Sequence, residues 1–228
     1  MIGASYARLR ALKNTFRDSH VREQRRLAAS GTEALHQIST RTRADRYPRI
    51  FAASREFAPD RGGRPLRILS FGCSTGEEVF SLRPYFPDAR IVGTDINKEC
   101  IKKCRRRNAD RRNEFLEPSE GLEGRDFDLV FCMAVLQRSP SRHARTENVS
   151  DVYPFEKFER ELEALDRLIR PGGLLILYHT FYSFRDSRIA RSYAPCPVSI
   201  PDPVVPKFDR HGVRAPDDSY SEVIFRKL

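Results

Sequence analysis

Residues 66–78 read LRILSFGCSTGEE and decide the fold, because they join a buried strand, a glycine turn and the start of a helix. The run 66–71 is short and apolar, which is typical of a strand that is covered on both faces of a sheet. Gly72 and Gly76 bracket a turn whose backbone can adopt positive φ and approach a ligand closely. Glu77 then opens a helical pattern. The stretch predicts the first strand–turn–helix unit of an α/β sheet.

The same alternation continues along the chain. Further strands are predicted at 90–94, 113–116, 127–132, 174–178 and 220–226, with helices at 77–85, 98–107 and 155–169. Pro171-Gly172-Gly173 is expected to end the last of these helices. Strands that alternate with helices predict an α/β fold of three layers, a Rossmann-like and mostly parallel sheet with helices on both faces.

The residues on either side of this pattern are expected to form a lid. Residues 1–64 are predicted to be an N-terminal helical extension, with helices over 4–26, from Thr32 onward and over 47–57, and residues 65–228 to be the main domain. The segment 183–218 is rich in proline and is predicted to be irregular. The extension and this segment together are expected to cover a substrate, the acceptor of the reaction, when it is bound to the main domain.

The chemistry of the glycine turn indicates its ligand. Asp95 ends the second predicted strand, and a carboxylate at that place can accept hydrogen bonds from ribose hydroxyls. The turn is not G-x-G-x-x-G, and the carboxylates of Glu77 and Glu78 in the first helical turn would repel a pyrophosphate. S-adenosylmethionine (SAM) has no phosphate and carries a sulfonium and an amino group. The turn therefore favours SAM over a dinucleotide.

Two of these acidic residues have structural alternatives. Thr75 and Glu78 have the spacing of a capping box, in which Glu78 would bond back to the Thr75 amide. Asp95, with help from Asn97, could cap the helix that follows it. For both carboxylates the choice between cap and ligand is open from the residues alone.

Four stretches in order, RILSFGCSTGEE, IVGTDIN, FDLVFCMAVLQR and IRPGGLLIL, resemble the class I SAM-dependent methyltransferase superfamily over about residues 66–180. The resemblance implies a seven-stranded sheet whose last strand is antiparallel. The GCSTGEE loop is most similar to that of chemotaxis-receptor glutamate methyltransferases. The chain has no room for the inserted subdomain of that group, so receptor methylation is an alternative and not the favoured function.

The resemblance also implies a set of cofactor contacts. The turn would surround the methionine part of SAM, Glu78 would meet its amino group, and Asp95 would bind the ribose with Ile96 against the adenine. Glu117 is the candidate that reads the adenine, and three residues after the fourth strand would lie beneath the cofactor. The residues expected to bind SAM are Gly72, Cys73, Ser74, Gly76, Glu78, Asp95, Ile96, Glu117, Met133, Ala134 and Val135.

Catalytic groups are expected just after the fourth and fifth strands. His179 and Tyr182 follow the fifth strand and are the candidates for a base or an acceptor contact, with a hydrogen-bonded structural histidine as the alternative. Because the methyl group of SAM is already activated, an in-line transfer mainly needs positioning of the acceptor. No cluster of histidines and carboxylates suggests a catalytic metal. The five cysteines have no zinc-ribbon spacing and fit a reduced, cytoplasmic protein.

The net charge of the chain indicates which kinds of binding partner it could have. The formal net charge is +10, and residues 1–64 hold 14 basic and 6 acidic residues, a local net of +8. Arginine predominates and few aromatic residues accompany it, so a nucleic-acid partner is not favoured.

A small-molecule acceptor is favoured over a lipid, glycan or protein side chain. No apolar run is long enough for a membrane span. Two other functions are open: a non-catalytic module that binds SAM or S-adenosylhomocysteine, and an RNA methyltransferase that uses the basic extension.

Overall fold

The structure is a computed structural model that describes residues 18–216 and 220–228. Seven strands form one sheet in the order β3-β2-β1-β4-β5-β9-β6, and β7 pairs with β8 separately. The strands are β1 Arg67–Phe71, β2 Arg90–Thr94, β3 Asn113–Leu116, β4 Phe127–Met133, β5 Ile169–Tyr178, β6 Tyr193–Pro195, β7 Lys207–Phe208, β8 Arg214–Ala215 and β9 Ile224–Lys227. The helices are α1 Ser19–Ala29, α2 Pro48–Glu56, α3 Glu77–Leu82, α4 Lys98–Arg107 and α5 Phe155–Asp166, with 3₁₀ turns at 118–120, 140–142, 184–186 and 188–192.

The sheet is covered on both faces, as predicted. Successive residues of β1 point to opposite sides, so that Ile68 joins one buried cluster and Leu69 the other. Phe158 and Leu162 of α5 pack in the cluster of Leu69. Helices α2, α3 and α4 pack in the cluster of Ile68, for example through Val79. This arrangement is the expected three-layer α/β fold.

The predicted antiparallel last strand is also confirmed. β9 runs antiparallel to both β5 and β6, whereas β1 to β5 pair in parallel. The carboxyl ends of β1, β2, β4 and β5 therefore lie along the same edge of the sheet. Ligands of open α/β sheets bind at that edge, and the glycine turn follows β1 there.

The fifth strand begins earlier than the sequence predicted. Helix α5 ends at Asp166, and Pro171-Gly172-Gly173 lies inside β5 instead of ending the helix. The pairing with β4 is irregular here, because Phe127 faces Ile169 whereas Leu129 faces Leu174. Gly172 has a φ of +77°, so the turn-forming residues produce an irregularity within the strand.

The described part of the N-terminal extension, residues 18–64, is only partly helical. Helices α1 and α2 agree with two predictions, although the part of the first that falls on residues 1–17 lies outside the described residues. The helix predicted from Thr32 is wrong: residues 31–47, here called the strap, are irregular. Side chains from the main domain bond its carbonyls, since Arg138 and Lys157 both donate to the Leu35 oxygen. These external donors replace the bonds that a helix would make internally.

No helix in the described ranges has the length and apolar character needed to cross a membrane.

Candidate cofactor and acceptor sites

The glycine turn is held against the end of β2. The amides of Gly72 and Cys73 both donate to the carbonyl oxygen of Thr94, at 2.8 and 2.9 Å. Gly72 has a φ of +75°, and a Cβ placed there would lie 2.4 Å from Cγ2 of Val135. Only glycine therefore fits this position, and the turn presents bare backbone beside the residues that follow β4.

Asp95 is built into the same turn. Its Oδ2 accepts from the Ser74 amide at 2.8 Å, and its Oδ1 accepts from the Asn97 amide at 2.8 Å. Burial raises the pKa of Asp95 to about 6, although these two amide donors act in the opposite direction. The helix-capping alternative is wrong, because Asn97 itself caps α4 through the amides of Glu99 and Cys100.

Glu78 is also not a helix cap. Its Oε1 accepts from the Ser70 hydroxyl at 2.7 Å, and Gly76 occupies the N-cap position of α3 in the left-handed region with a φ of +93°. Burial raises the pKa of Glu78 to about 7, although the bond from Ser70 and the charge of Arg46 oppose the shift. A carboxylate in this environment is suited to a cationic amino group.

Two cavities follow the turn and share four lining residues, Ser39, Gly72, Ser74 and Ala134. The larger has a volume of about 230 Å³ and is lined by Asp95, Ile96 and Val135 together with strap residues. The smaller, about 50 Å³, is lined by Cys73, Glu78 and Met133 together with Tyr47 and three arginines. Nine of the eleven residues predicted to bind the cofactor thus line one or both cavities.

The other two predicted cofactor residues line neither cavity. A Cβ at Gly76 would lie 2.9 Å from Phe80 and 3.1 Å from Cys104, so this glycine allows α3 and α4 to approach closely. Glu117 accepts from the Glu120 amide, and the Glu120 carboxylate accepts from the Glu117 amide. The structure therefore places Glu117 as the cap of a 3₁₀ turn, while Pro118 lines the larger cavity.

The strap supplies residues that the sequence did not reveal. His36 lines the larger cavity together with Glu161, and it is hydrogen-bonded to Glu161 at 3.0 Å and to the Tyr153 hydroxyl at 2.6 Å. The Ser74 hydroxyl donates to the Thr40 carbonyl at 2.9 Å, which ties the strap to the glycine turn. No local motif announces these contacts, because the bonds of His36 span 117 and 125 residues.

A third cavity of about 370 Å³ lies beyond the carboxyl end of β5 and is lined by His179. Nδ1 of His179 is 2.8 Å from Oδ1 of Asp202, and Oδ2 of Asp202 accepts from Nζ of Lys207 at 2.6 Å. All three side chains are buried. Burial alone would raise the pKa of Asp202, but the bond from His179 and the charge of Lys207 hold it below its usual value.

Tyr182 also lines this cavity, but most of its side chain packs into the core. Its side chain is fully buried against Phe155 and Phe158, and its hydroxyl donates to the Tyr153 carbonyl. Burial raises the pKa of Tyr182 well above its usual value. The hydroxyl is thus engaged in the core, and its position gives no support to the predicted catalytic role.

No metal site is seen in the ranges 18–216 and 220–228, because they hold no group of three or more His, Cys, Asp or Glu residues that could bind an ion.

Comparison with known proteins finds similarity to methyltransferases. A family model described as a methyltransferase domain matches residues 69–175. A probable biofilm formation methyltransferase, WspC of Pseudomonas putida, is 37% identical over 58% of this chain and 39% of its own length. The release factor glutamine methyltransferase of Bacteroides thetaiotaomicron is 26% identical over 48% of this chain and 45% of its own. The chain spans less than half the length of these two relatives.

Solved structures are more distant. The amino pentose methyltransferase CalS10 of Micromonospora echinaspora, solved with SAM bound, is 18% identical with a TM-score of 0.43, over 68% of this chain and 58% of that one. The plantazolicin methyltransferase BpumL, solved with S-adenosylhomocysteine, is 16% identical with a TM-score of 0.43, over 72% of this chain and 55% of that one.

The family match includes the glycine turn and Asp95, and the sheet has the seven strands with an antiparallel C-terminal strand that the resemblance implied. SAM, the cofactor predicted from the turn, is bound in the solved structure of CalS10. The chain is therefore similar to methyltransferases over residues 69–175, a stretch that includes the glycine turn, Asp95 and β4.

Proposed function

We propose that this chain transfers the methyl group of SAM to a small polar acceptor. The observation that carries the proposal is the joined unit of glycine turn and Asp95, which leaves exposed backbone beside a half-buried carboxylate. A phosphate-free nucleoside suits this unit, because Glu78 would disfavour a phosphate at the first turn of α3. SAM supplies an activated methyl group on its sulfonium.

The proposed cofactor contacts follow the two cavities of the turn. Asp95 would accept from the ribose hydroxyls, and Ile96 would lie against the adenine in the larger cavity. Glu78 would hold the amino group of the methionine part in the smaller cavity. Met133, the last residue of β4, and Ala134 after it would lie beneath the cofactor. The strap crosses the same cavities and would keep water from the bound nucleoside.

The acceptor would occupy the cavity beyond β5. Its volume of about 370 Å³ is in the range of small-molecule sites. Tyr178, immediately before His179, pairs with Met133 in the sheet, so this cavity adjoins the smaller cofactor cavity. An acceptor bound in this cavity would lie near the methionine end of the cofactor.

His179 is the proposed general base. Asp202 faces its Nδ1, and in the tautomer that places the proton there, Nε2 has a lone pair that can take a proton from a hydroxyl or amine. The backbone of His179 has a φ of +55°, a conformation that is uncommon for a residue with a side chain and is found at functional sites. Asp202 would then orient the imidazole ring of His179 and stabilise its positive charge after it takes up the proton.

The lining of the cavity favours a neutral acceptor. Two cations line it, and in the described residues both face carboxylates: Lys207 faces Asp202, and Arg185 faces Glu222. Since carboxylates compensate both cations, this lining does not favour an anionic acceptor. Hydroxyl groups of Thr180 and Ser183 add polar surface that suits a hydroxyl or amine compound.

Formation of S-adenosylhomocysteine from SAM tests the proposal. The purified chain is incubated with SAM and, in separate reactions, with neutral polyols, amines, dicarboxylic acids and glutamate-containing peptides. We expect product with a polyol or an amine, and no product with the dicarboxylic acids. Product formed only with the peptides would move the acceptor to protein side chains, and cofactor binding without turnover in any reaction would favour a binding module.

A further inference from the structure

Tyr47 lies between the smaller cofactor cavity and the proposed acceptor cavity. It directly precedes α2 and is only 9% exposed. Its ring packs edge-on against those of Tyr178 and His179, each with a centroid distance of 5.5 Å. It also lines the smaller cavity, which includes Glu78. The side chain thus joins the strap to the end of β5 at the methionine side of the cofactor site.

The hydroxyl of Tyr47 is buried and has no hydrogen-bond partner among residues 18–216 and 220–228. Buried hydroxyl groups nearly always have a partner, because leaving one unpaired costs free energy. The neighbouring phenols show the usual arrangement, since Tyr178 donates to the Pro201 carbonyl and Tyr182 to that of Tyr153. The exception at Tyr47 indicates that a ligand supplies its partner.

The chemistry around the hydroxyl indicates which part of a ligand it meets. Burial raises the pKa of Tyr47, so the phenol stays protonated at neutral pH and can donate. The guanidinium of Arg46 lies 5.0 Å from the centre of the Tyr47 ring and adds positive charge at this end of the site. A hydrogen-bond donor beside a cation suits a carboxylate, whereas Glu78 in the same cavity suits an amine. An α-amino acid group presents both.

We propose that the Tyr47 hydroxyl donates a hydrogen bond to the carboxylate of the methionine part of the cofactor. The inference rests on the proposed function, because it requires SAM in the glycine turn. It gives the strap a chemical role in recognising the amino-acid half of the cofactor, while Asp95 and Ile96 would recognise the nucleoside half.

Two ligands separate the two halves. S-adenosylhomocysteine has both, and 5′-methylthioadenosine lacks the amino-acid group. Affinities of each for the wild-type chain and for Tyr47→Phe are measured by calorimetry, with the melting temperature of the ligand-free proteins. We expect Tyr47→Phe to lower the affinity for S-adenosylhomocysteine by about tenfold and to leave the affinity for 5′-methylthioadenosine unchanged. The ligand-free melting temperature should be unchanged or higher, because the substitution removes an unpaired buried hydroxyl.

Tyr193→Phe is the matched control. Its hydroxyl donates to Asp166 at 2.8 Å, and the residue is not among those that line the three cavities. This variant should lower the melting temperature and leave both affinities unchanged. Equal S-adenosylhomocysteine affinities for Tyr47→Phe and wild type would overturn the inference, as would equal losses for both ligands. If the wild-type chain binds neither ligand, the proposed function itself fails.

Discussion

The Ser74 amide donates to Oδ2 of Asp95 at 2.8 Å, so the turn and the acidic residue predicted to bind ribose form one unit. Ser74 has a φ of +50°, which is uncommon for a residue with a side chain. The bond to Asp95 helps to hold that conformation. The carboxylate therefore has two roles: it shapes the turn from within, and it faces the larger cavity.

Neutralising this carboxylate should affect binding. Asp95→Asn removes one of two acceptor oxygens, and the amides of Ser74 and Asn97 then compete for the other. We expect the affinity for S-adenosylhomocysteine to fall by at least about tenfold, measured by calorimetry. Asp88→Asn is the control, because the Asp88 side chain is 89% exposed and its ion-pair distance is 4.0 Å. An unchanged affinity for Asp95→Asn would remove Asp95 from the site.

The raised pKa values predict opposite pH dependences of stability and binding. Burial raises the pKa of Glu78 to about 7 and that of Asp95 to about 6. The folded chain therefore keeps protons that the unfolded chain releases, and the free energy of unfolding without ligand should fall as pH rises from about 5 to 8. Cofactor affinity should rise over the same interval, because the amino group and the ribose hydroxyls favour ionised carboxylates.

Glu78→Gln tests how much Glu78 contributes to the pH dependence of cofactor affinity between pH 6 and 8. Without the carboxylate, we expect the affinity for S-adenosylhomocysteine to be lower at pH 8 and to vary less between pH 6 and 8. Calorimetry at three pH values measures the effect. If Glu78→Gln and wild type show the same pH dependence, the amino group of the cofactor does not meet Glu78.

Two glycines with similar φ values test the close approach of the turn. Gly72 and Gly121 have φ values of +75° and +80°, but only at Gly72 would a Cβ contact another side chain, that of Val135. We expect Gly72→Ala to lower the free energy of unfolding by about 3 kcal/mol and Gly121→Ala by about 1 kcal/mol, in urea titrations. Equal losses would show that backbone strain alone matters at Gly72.

The buried cluster behind His179 should be important for stability. Asp202→Asn removes the carboxylate that faces the buried ammonium of Lys207, which should cost about 3–5 kcal/mol. Because the pKa of Asp202 is below its usual value, its stabilising effect should be present above about pH 4 and lost as the pH falls further. Glu222→Gln, in an exposed pair with Arg185, should cost less than about 1 kcal/mol. If Asp202→Asn lowers the free energy of unfolding as little as Glu222→Gln does, the Asp202 carboxylate does not stabilise the buried ammonium of Lys207.

The sequence predicted the elements whose signals are local. The turn from Gly72 to Gly76 and the position of Asp95 depend on residues that are close in the chain, and α4 was predicted with its bounds. A proline and two glycines at 171–173 suggested a helix end, but pairing with β4 extends the strand through them. Local propensity could not show that pairing.

Parts of both the cofactor and the acceptor cavities depend on contacts that are distant in the chain. His36 meets Tyr153 and Glu161 from the strap, and Asp202 reaches His179 from the irregular segment before β7. The backbone of the strap is irregular because its carbonyls are bonded by side chains from distant parts of the chain, which the local sequence could not show. The narrower likeness of the loop to chemotaxis-receptor methyltransferases stays a prediction, as does the division of the chain at residue 64.

Calorimetric titration of the wild-type chain with S-adenosylhomocysteine at pH 8 tests the account most directly. One molecule should bind per chain, and an excess of ATP should not displace it, because the turn disfavours phosphates. Absence of a binding heat at several temperatures, or displacement by ATP, would contradict the account.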